Sequence, residues 1–108
     1  MAKVDLLQGT LDMLVLKALS RGPLHGYAVA RWIQQISEDA LQVEEGSLYP
    51  ALYRMESRGW ITSEEGLSEN NRKARHYKLT RMGRKQLETE STNWERLAEA
   101  IAKVMQTA

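Results

Sequence analysis

Gly59 separates two kinds of hydrophobic pattern. Before it, Leu48, Leu52 and Met55 recur at spacings of four and three, the period of a helix with one apolar face. After it, Trp60-Ile61-Thr62-Ser63-Glu64-Glu65 begins with aromatic and β-branched residues, as a strand does. Ala74-Arg75-His76-Tyr77-Lys78-Leu79 suits its partner, with Arg75, Tyr77 and Leu79 on one face and His76 and Lys78 on the other. The intervening Gly66–Lys73 is polar and turn-rich, too long for a two-residue turn, and ends in the basic cluster Arg72, Lys73 and Arg75. A helix that stops at a glycine and feeds a basic-tipped hairpin predicts a mainly α fold with a small β-hairpin.

The helix before Gly59 carries a second, unusual face. Ser47 is placed as its cap and Pro50 in its first turn, where a missing N–H costs nothing. Ser47, Pro50, Arg54 and Ser57 then share one side, flanked by Tyr49 and Tyr53. A solvated helix normally shows long charged side chains there. Hydroxyls, phenols and one arginine suit a flat polar partner, and phosphates and base edges fit that description. Taken alone, the tyrosines could equally pack with their hydroxyls outward.

Upstream, a first helix is expected from about Leu6 to Leu19, with Leu7, Leu11, Leu14, Val15 and Ala18 on one face and Met13 and Leu16 on another. Being apolar nearly all round, it calls either for a second subunit on one side or for burial at the centre of the domain. Gly22-Pro23 ends it, and a second helix runs from about His25 to Ser37. His25 has no neighbouring groups to complete a catalytic or metal site, so a structural hydrogen bond at the helix start is its expected role. Leu41-Gln42-Val43 could pair as a very short strand. Three helices and a hairpin make a winged helix-turn-helix, in which the recognition helix enters the major groove and the hairpin reaches phosphates or the minor groove.

Charge supports that reading. The net charge is only +1, but residues 1–45 carry −2, residues 46–85 carry +5 and residues 86–108 carry −2. A polyanion would meet the recognition helix and the hairpin after it. At 108 residues one core is the rule, so residues 1–80 form the expected DNA-binding domain. No cysteine is present, which excludes disulfides and thiolate metal sites, and no cofactor is implied. The start lacks a signal-peptide pattern and no apolar run is long enough to span a bilayer, so a cytoplasmic protein without a membrane partner is expected.

Residues 81–108 form the expected dimerisation helix. Thr80 can cap it, and 28 positions would reach roughly 40 Å, further than the domain can support. Trp94, Leu97, Ile101 and Val104 repeat as a coiled-coil seam does, and Glu90 interrupts the seam after Leu87. The simplest partner is another copy, contributing the same helix or the first one. The interruption leaves a gap in which Trp94, with Glu90 and Val15, could stack a planar aromatic effector; plain interface packing of Trp94 is the alternative.

Four segments in this order, Leu7-Gln8-Gly9-Thr10-Leu11, Gly22-Pro23-Leu24-His25-Gly26-Tyr27, Gly46-Ser47-Leu48-Tyr49-Pro50-Ala51-Leu52 with Arg54-Met55-Glu56 and Gly59, and Arg75-His76-Tyr77-Lys78-Leu79-Thr80 with Gly83, resemble the PadR-type bacterial transcriptional regulators. The resemblance implies a winged-helix homodimer joined through its first and last helices, usually a repressor of detoxification or efflux genes that a ligand releases. With a single last helix the chain is similar to the family's shorter branch. The resemblance places Ser47 and Tyr49 in the DNA-reading helix, Lys73 and Arg75 on the wing, and Trp94 near the aromatic-ligand position of some members. His76 departs from the aromatic that many members carry. An enzyme is disfavoured, since the two histidines lie in different elements and no phosphate loop or nucleophile arrangement occurs. RNA binding would call for more exposed stacking aromatics. A winged-helix module that binds only protein remains the alternative.

Overall fold

The computed structural model describes residues 8–67 and 70–108. Helices α1 (Gln8–Leu19), α2 (Gly26–Ile36) and α3 (Glu45–Ser57) pack together, with strand β1 (Leu24–His25) between α1 and α2. The hairpin β2 (Ile61–Leu67) and β3 (Lys73–Leu79) comes next, and α4 (Arg81–Met105) closes the chain. The sheet is antiparallel in the order β1-β3-β2, with Leu24 opposite Tyr77 and Ile61 opposite Leu79. These are the four helices and small sheet of a winged helix. The expected strand at Leu41-Gln42-Val43 is irregular; the strand that pairs with the hairpin is β1 instead. Towards the tip the hairpin arms run further than expected, β2 by two residues to Leu67 and β3 by one to Lys73, which lie opposite each other.

One core joins α1, α2, α3 and the base of the hairpin. Val15, Leu16, Leu19, Val29, Leu48, Leu52, Met55 and Ile61 are its most deeply buried large side chains. Leu11 and Val15 therefore pack inside their own domain, which removes both from any subunit contact or effector cavity. A helix apolar on every side conceals which face is inward, and the core here takes both candidate faces. Leu14 is half-buried, while Leu6 and Leu7 lie outside the described residues, as do Ser68 and Glu69 of the expected loop.

Helix ends set the angles between elements. The Gly59 N–H donates to Glu56 C=O and the Trp60 N–H to Met55 C=O, each at 3.0 Å, with Gly59 at φ +79°. This paired C-terminal motif turns the chain sharply from α3 into the hairpin, and it demands the left-handed backbone that glycine adopts freely. The end of α2 repeats the same bonds, from Glu38 to Gln35 and from Asp39 to Gln34, but with Glu38 at φ +53°. A side chain there carries a strain glycine would relieve. Glu38→Gly should raise stability by about 0.5–1 kcal/mol, read as a higher urea midpoint with an unchanged slope.

Thr80 fixes the start of α4, as its sequence predicts. Its Oγ1 accepts from the Gly83 N–H at 3.0 Å and donates toward the carbonyls of Gly59 and Trp60. The first part of α4 packs on α1, and Leu87 joins the core margin. Beyond it, Trp94, Leu97, Ile101 and Val104 stand exposed along one stripe. No helix among the described residues is long and apolar enough to cross a membrane.

Candidate nucleic-acid interface

The recognition helix begins earlier than its sequence suggests. α3 starts at Glu45 with Glu44 as its cap residue, and no side chain caps it. Ser47 is thus an exposed residue of the first turn rather than the cap, and Pro50 lies inside the helix. A proline there lacks the N–H that would meet the Gly46 carbonyl, so the helix has a local weakness where it is most exposed. Leu48, Ala51, Leu52 and Met55 are buried, leaving Ser47, Tyr49, Pro50 and Tyr53 outward. Tyr53 is 74% exposed.

Tyr49 bridges two helices. A Cβ built on Gly26, the first residue of α2, would lie 3.0 Å from Tyr49 Cε1 and 3.2 Å from its hydroxyl. The bare glycine therefore lets the phenol ring lie against the start of α2, while the rest of the ring remains accessible. His25, just before it, accepts the Ala28 N–H on Nδ1 at 3.3 Å, the structural role expected of it. Its ring also meets His76 edge-on at 5.8 Å, across the β1–β3 pair. His76 thus packs against a ring of the domain in spite of its departure from the family pattern.

Arg54 does not belong to the outward face. Its Nη2 lies 2.9 Å from Oδ1 of Asp12 on α1, with the two side chains 28% and 6% exposed. The Arg54 Nε is buried without an acceptor among the described residues. Burial pushes the Asp12 carboxyl above its ordinary value, although the guanidinium beside it pulls the other way. The residue is a clamp between α1 and α3, and the sequence assignment of Arg54 to a DNA contact is withdrawn.

The wing supplies the charge. Arg72, Lys73 and Arg75 are exposed at and beside the hairpin tip. Arg75 Nη1 donates to Ser63 Oγ at 3.1 Å, and Ser63 Oγ donates to Glu56 Oε2 on α3 at 2.7 Å. This short chain ties the wing to the recognition helix. Between the tip, Tyr49 and the start of α2 runs a groove of about 560 Å³ with Tyr77 in its wall. Burial, assisted by the Glu56 carboxylate, pushes the Tyr77 hydroxyl above the usual phenol range, so it stays neutral there. The groove also takes in Tyr27 and Arg31 of α2, two residues that sequence reasoning missed. Arg31 Cζ stands 5.7 Å from the Tyr27 ring centroid, and both side chains are exposed. Their i, i+4 spacing in a basic-aromatic pair was the available signal.

The candidate effector residues separate. Trp94 and Glu90 do line one cavity of about 270 Å³ between α1 and α4, together with Gly9, Thr10, Met13, Asn93 and Leu97. Val15 is absent from it, being buried in the core. Glu90 accepts from Gln86 Nε2 at 3.1 Å. Among the described residues no cluster of three His, Cys, Asp or Glu side chains could hold a metal ion.

Known proteins agree with this architecture. A transcriptional regulator from Clostridium thermocellum has a TM-score of 0.81 at 28% identity, covering 89% of this chain and 93% of that one. A PadR family transcriptional regulator from Eggerthella lenta has a TM-score of 0.77 at 31% identity, covering 94% and 86%. An uncharacterized 37.1 kDa protein of a Streptomyces fradiae transposon is 44% identical over 87 residues, 81% of this chain but only 24% of that longer protein. The model of the transcriptional regulator PadR-like family matches residues 15–89, from within α1, through the three helices and the wing, into α4. Members of that family are DNA-binding regulators rather than enzymes. With the family model spanning most of the chain and the solved structures superposing along nearly its whole length, the protein belongs to the PadR-like family of transcriptional regulators.

Proposed function

We propose that this regulator is a repressor that binds inverted-repeat operator DNA as a homodimer. The observation that carries the reading is the groove in which Tyr49, from the outward face of α3, meets a wing bearing Arg72, Lys73 and Arg75. Ser47, Tyr49, Pro50 and Tyr53 supply the groove-entering surface, and the wing cations neutralise backbone phosphates. One such helix reads few bases, and two-fold symmetry places two of them about 34–36 Å apart, one duplex turn. The exposed stripe of Trp94, Leu97, Ile101 and Val104 supports association through α4, with Leu14 of α1 beside the contact. The protein acts in the cytoplasm, where its operator lies.

Lys73→Ala with Arg75→Ala should weaken binding to all duplexes by similar factors and reduce the salt slope by about one unit for each phosphate no longer neutralised. Ser47→Ala or Tyr49→Phe should instead change which sequence is preferred, by about 1–3 kcal/mol per base contact. Both are measured by titrating labelled duplexes selected from a random pool at several salt concentrations. A protein that stays monomeric at micromolar concentration would remove the dimer. If neither set of changes alters affinity, the chain is a winged-helix module for protein partners.

Release of the DNA is assigned to a planar, preferably cationic, aromatic compound held between the Trp94 side chains of two copies. The cavity beside Trp94 and the Glu90 carboxylate support that assignment. Such a ligand acts only by favouring the free spacing of the recognition helices over the bound one. A dimeric Trp94→Ala that binds planar dyes with unchanged affinity would leave Trp94 as a packing residue.

A further inference from the structure

Most of the positive charge in the middle of the chain lies away from the wing groove. Of the nine basic residues between positions 46 and 85, Arg72, Lys73 and Arg75 are at the wing tip and Arg54 is held by Asp12. The other five, Arg58, Lys78, Arg81, Arg84 and Lys85, are exposed where the base of the hairpin joins α4. Strands of seven residues put that base about 20 Å from the tip. Its centre is apolar. Arg58 Cζ stands 5.1 Å from the Trp60 ring centroid, and Met82, 59% exposed, has its sulfur 3.7 Å from the position of a Cβ on Gly59. None of the five cations has an ion-pair partner among the described residues, where the ion pairs are Arg54–Asp12 and Lys103–Glu99. Arginine, tryptophan and methionine together are the composition of a protein contact rather than of a phosphate track.

A complementary surface is present on the same chain. The turn from α2 to α3 carries Glu38, Asp39, Glu44 and Glu45, all exposed, and no basic residue occurs between Trp32 and Tyr53. Beside these carboxylates Ile36 stands 66% exposed. The acidic surface lies at the start of α3 and the basic one at its end, about 20 Å apart along this 13-residue helix, so the two do not meet within one copy.

We propose that the basic, aromatic surface at the wing base binds the acidic α2–α3 turn of a second copy, joining copies head to tail. Trp60 and Met82 cover Ile36, and the surrounding guanidiniums meet the carboxylates. Because the two surfaces are unlike, each copy keeps one half free and the contact repeats. Neither surface contributes a residue to the wing groove or to the exposed stripe of α4, so the assembly grows past the proposed dimer and leaves the groove open. Copies at neighbouring sites on one duplex would then bind cooperatively. That consequence rests on the DNA-binding reading above, whereas the contact does not.

Sedimentation velocity of the full chain tests the contact. In dilute buffer the wild type should form larger species as its concentration rises, and about 1 M NaCl, where the screening length is about 3 Å, should return it to its salt-resistant form. Arg81→Glu with Arg84→Glu reverses the basic surface, and Ile36→Ser with Glu38→Lys reverses the acidic one. Each pair of changes should weaken the association on the order of tenfold or more. An equal mixture of the two variants should regain it, since each retains the half that the other lacks, and recovery also shows that both are folded. Absence of salt-sensitive growth in the wild type, undiminished growth in either variant, or no recovery on mixing would overturn the contact. A folded Arg81→Glu, Arg84→Glu chain that loses affinity for a short duplex selected from a random pool would assign the surface to phosphates and overturn it as well. The sedimentation measurements contain no DNA, so failure of the contact and failure of the DNA reading are seen separately.

Discussion

Arg54→Met should destabilise the fold by about 3 kcal/mol, because it leaves the Asp12 carboxylate buried without its partner. The figure is the lower end for a broken buried pair, since Arg54 is itself 28% exposed at its side chain and water already shares its charge. Asp12→Asn should cost less, as a neutral amide tolerates burial better than an unpaired carboxylate. Replacing both, Asp12→Leu with Arg54→Met, should recover most of the loss. Urea midpoints at constant slope measure all three. pH separates them further. Folding raises the Asp12 pKa, so between the ordinary and the raised value the folded chain holds more protons than the unfolded one. Stability from this group then falls as pH rises through that window. The fall should steepen in Arg54→Met and vanish in Asp12→Asn. If Arg54→Met keeps its stability yet loses DNA affinity, Arg54 contacts DNA after all and the clamp is a minor feature.

The misreading of Arg54 shows where sequence reasoning stops. Periodicity assigns a residue to a side of a helix, and it correctly divides Leu48, Leu52 and Met55 from Ser47, Tyr49 and Pro50. It does not show where a long side chain reaches, and Asp12 lies 42 positions away. Ser47 looks like a cap because a serine before a proline imitates a helix start, yet the backbone begins its turn at Glu45 without any side-chain cap. The change of period at Gly59 is legible because glycine and β-branched residues act locally. The two-residue β1 is not, since its pairing with β3 depends on how α1 and α2 pack. Arg31 and Tyr27 escape notice for the same reason: only folding brings α2 beside the wing.

Gly83→Ala should be at least as damaging, at about 3 kcal/mol. A Cβ at this position would lie 2.0 Å from the Trp60 carbonyl oxygen and 2.9 Å from Leu79 Cδ2. The first obstacle is backbone, which cannot turn aside as a side chain can, so α4 must lift from the base of the wing. Lifting it breaks the bond from the Thr80 N–H to Trp60 C=O and the hydrogen bonds of the Thr80 hydroxyl. Helix propensity alone predicts the reverse, since alanine is favoured over glycine by about 1 kcal/mol inside a helix. The sign of the change in thermal midpoint therefore decides between a local and a tertiary account. A Gly83→Ala protein that melts higher than wild type would show that α4 is not seated on Trp60 in solution.

The uncovered stripe on α4 has a consequence for gene dosage. Past Trp94, the one ion pair along the helix among the described residues is the exposed Lys103–Glu99 contact at 3.6 Å, and pairs of that kind give a few tenths of a kcal/mol. In a lone chain those outer turns sit near the balance between helix and coil. The proposed dimer would hold them, and each tenfold dilution weakens that support by about 1.4 kcal/mol. Where monomers predominate, the dimer population varies as the square of total protein. If that proposed dimer is the form that binds DNA, halving synthesis would leave about a quarter of it, and the genes it regulates would respond to copy number.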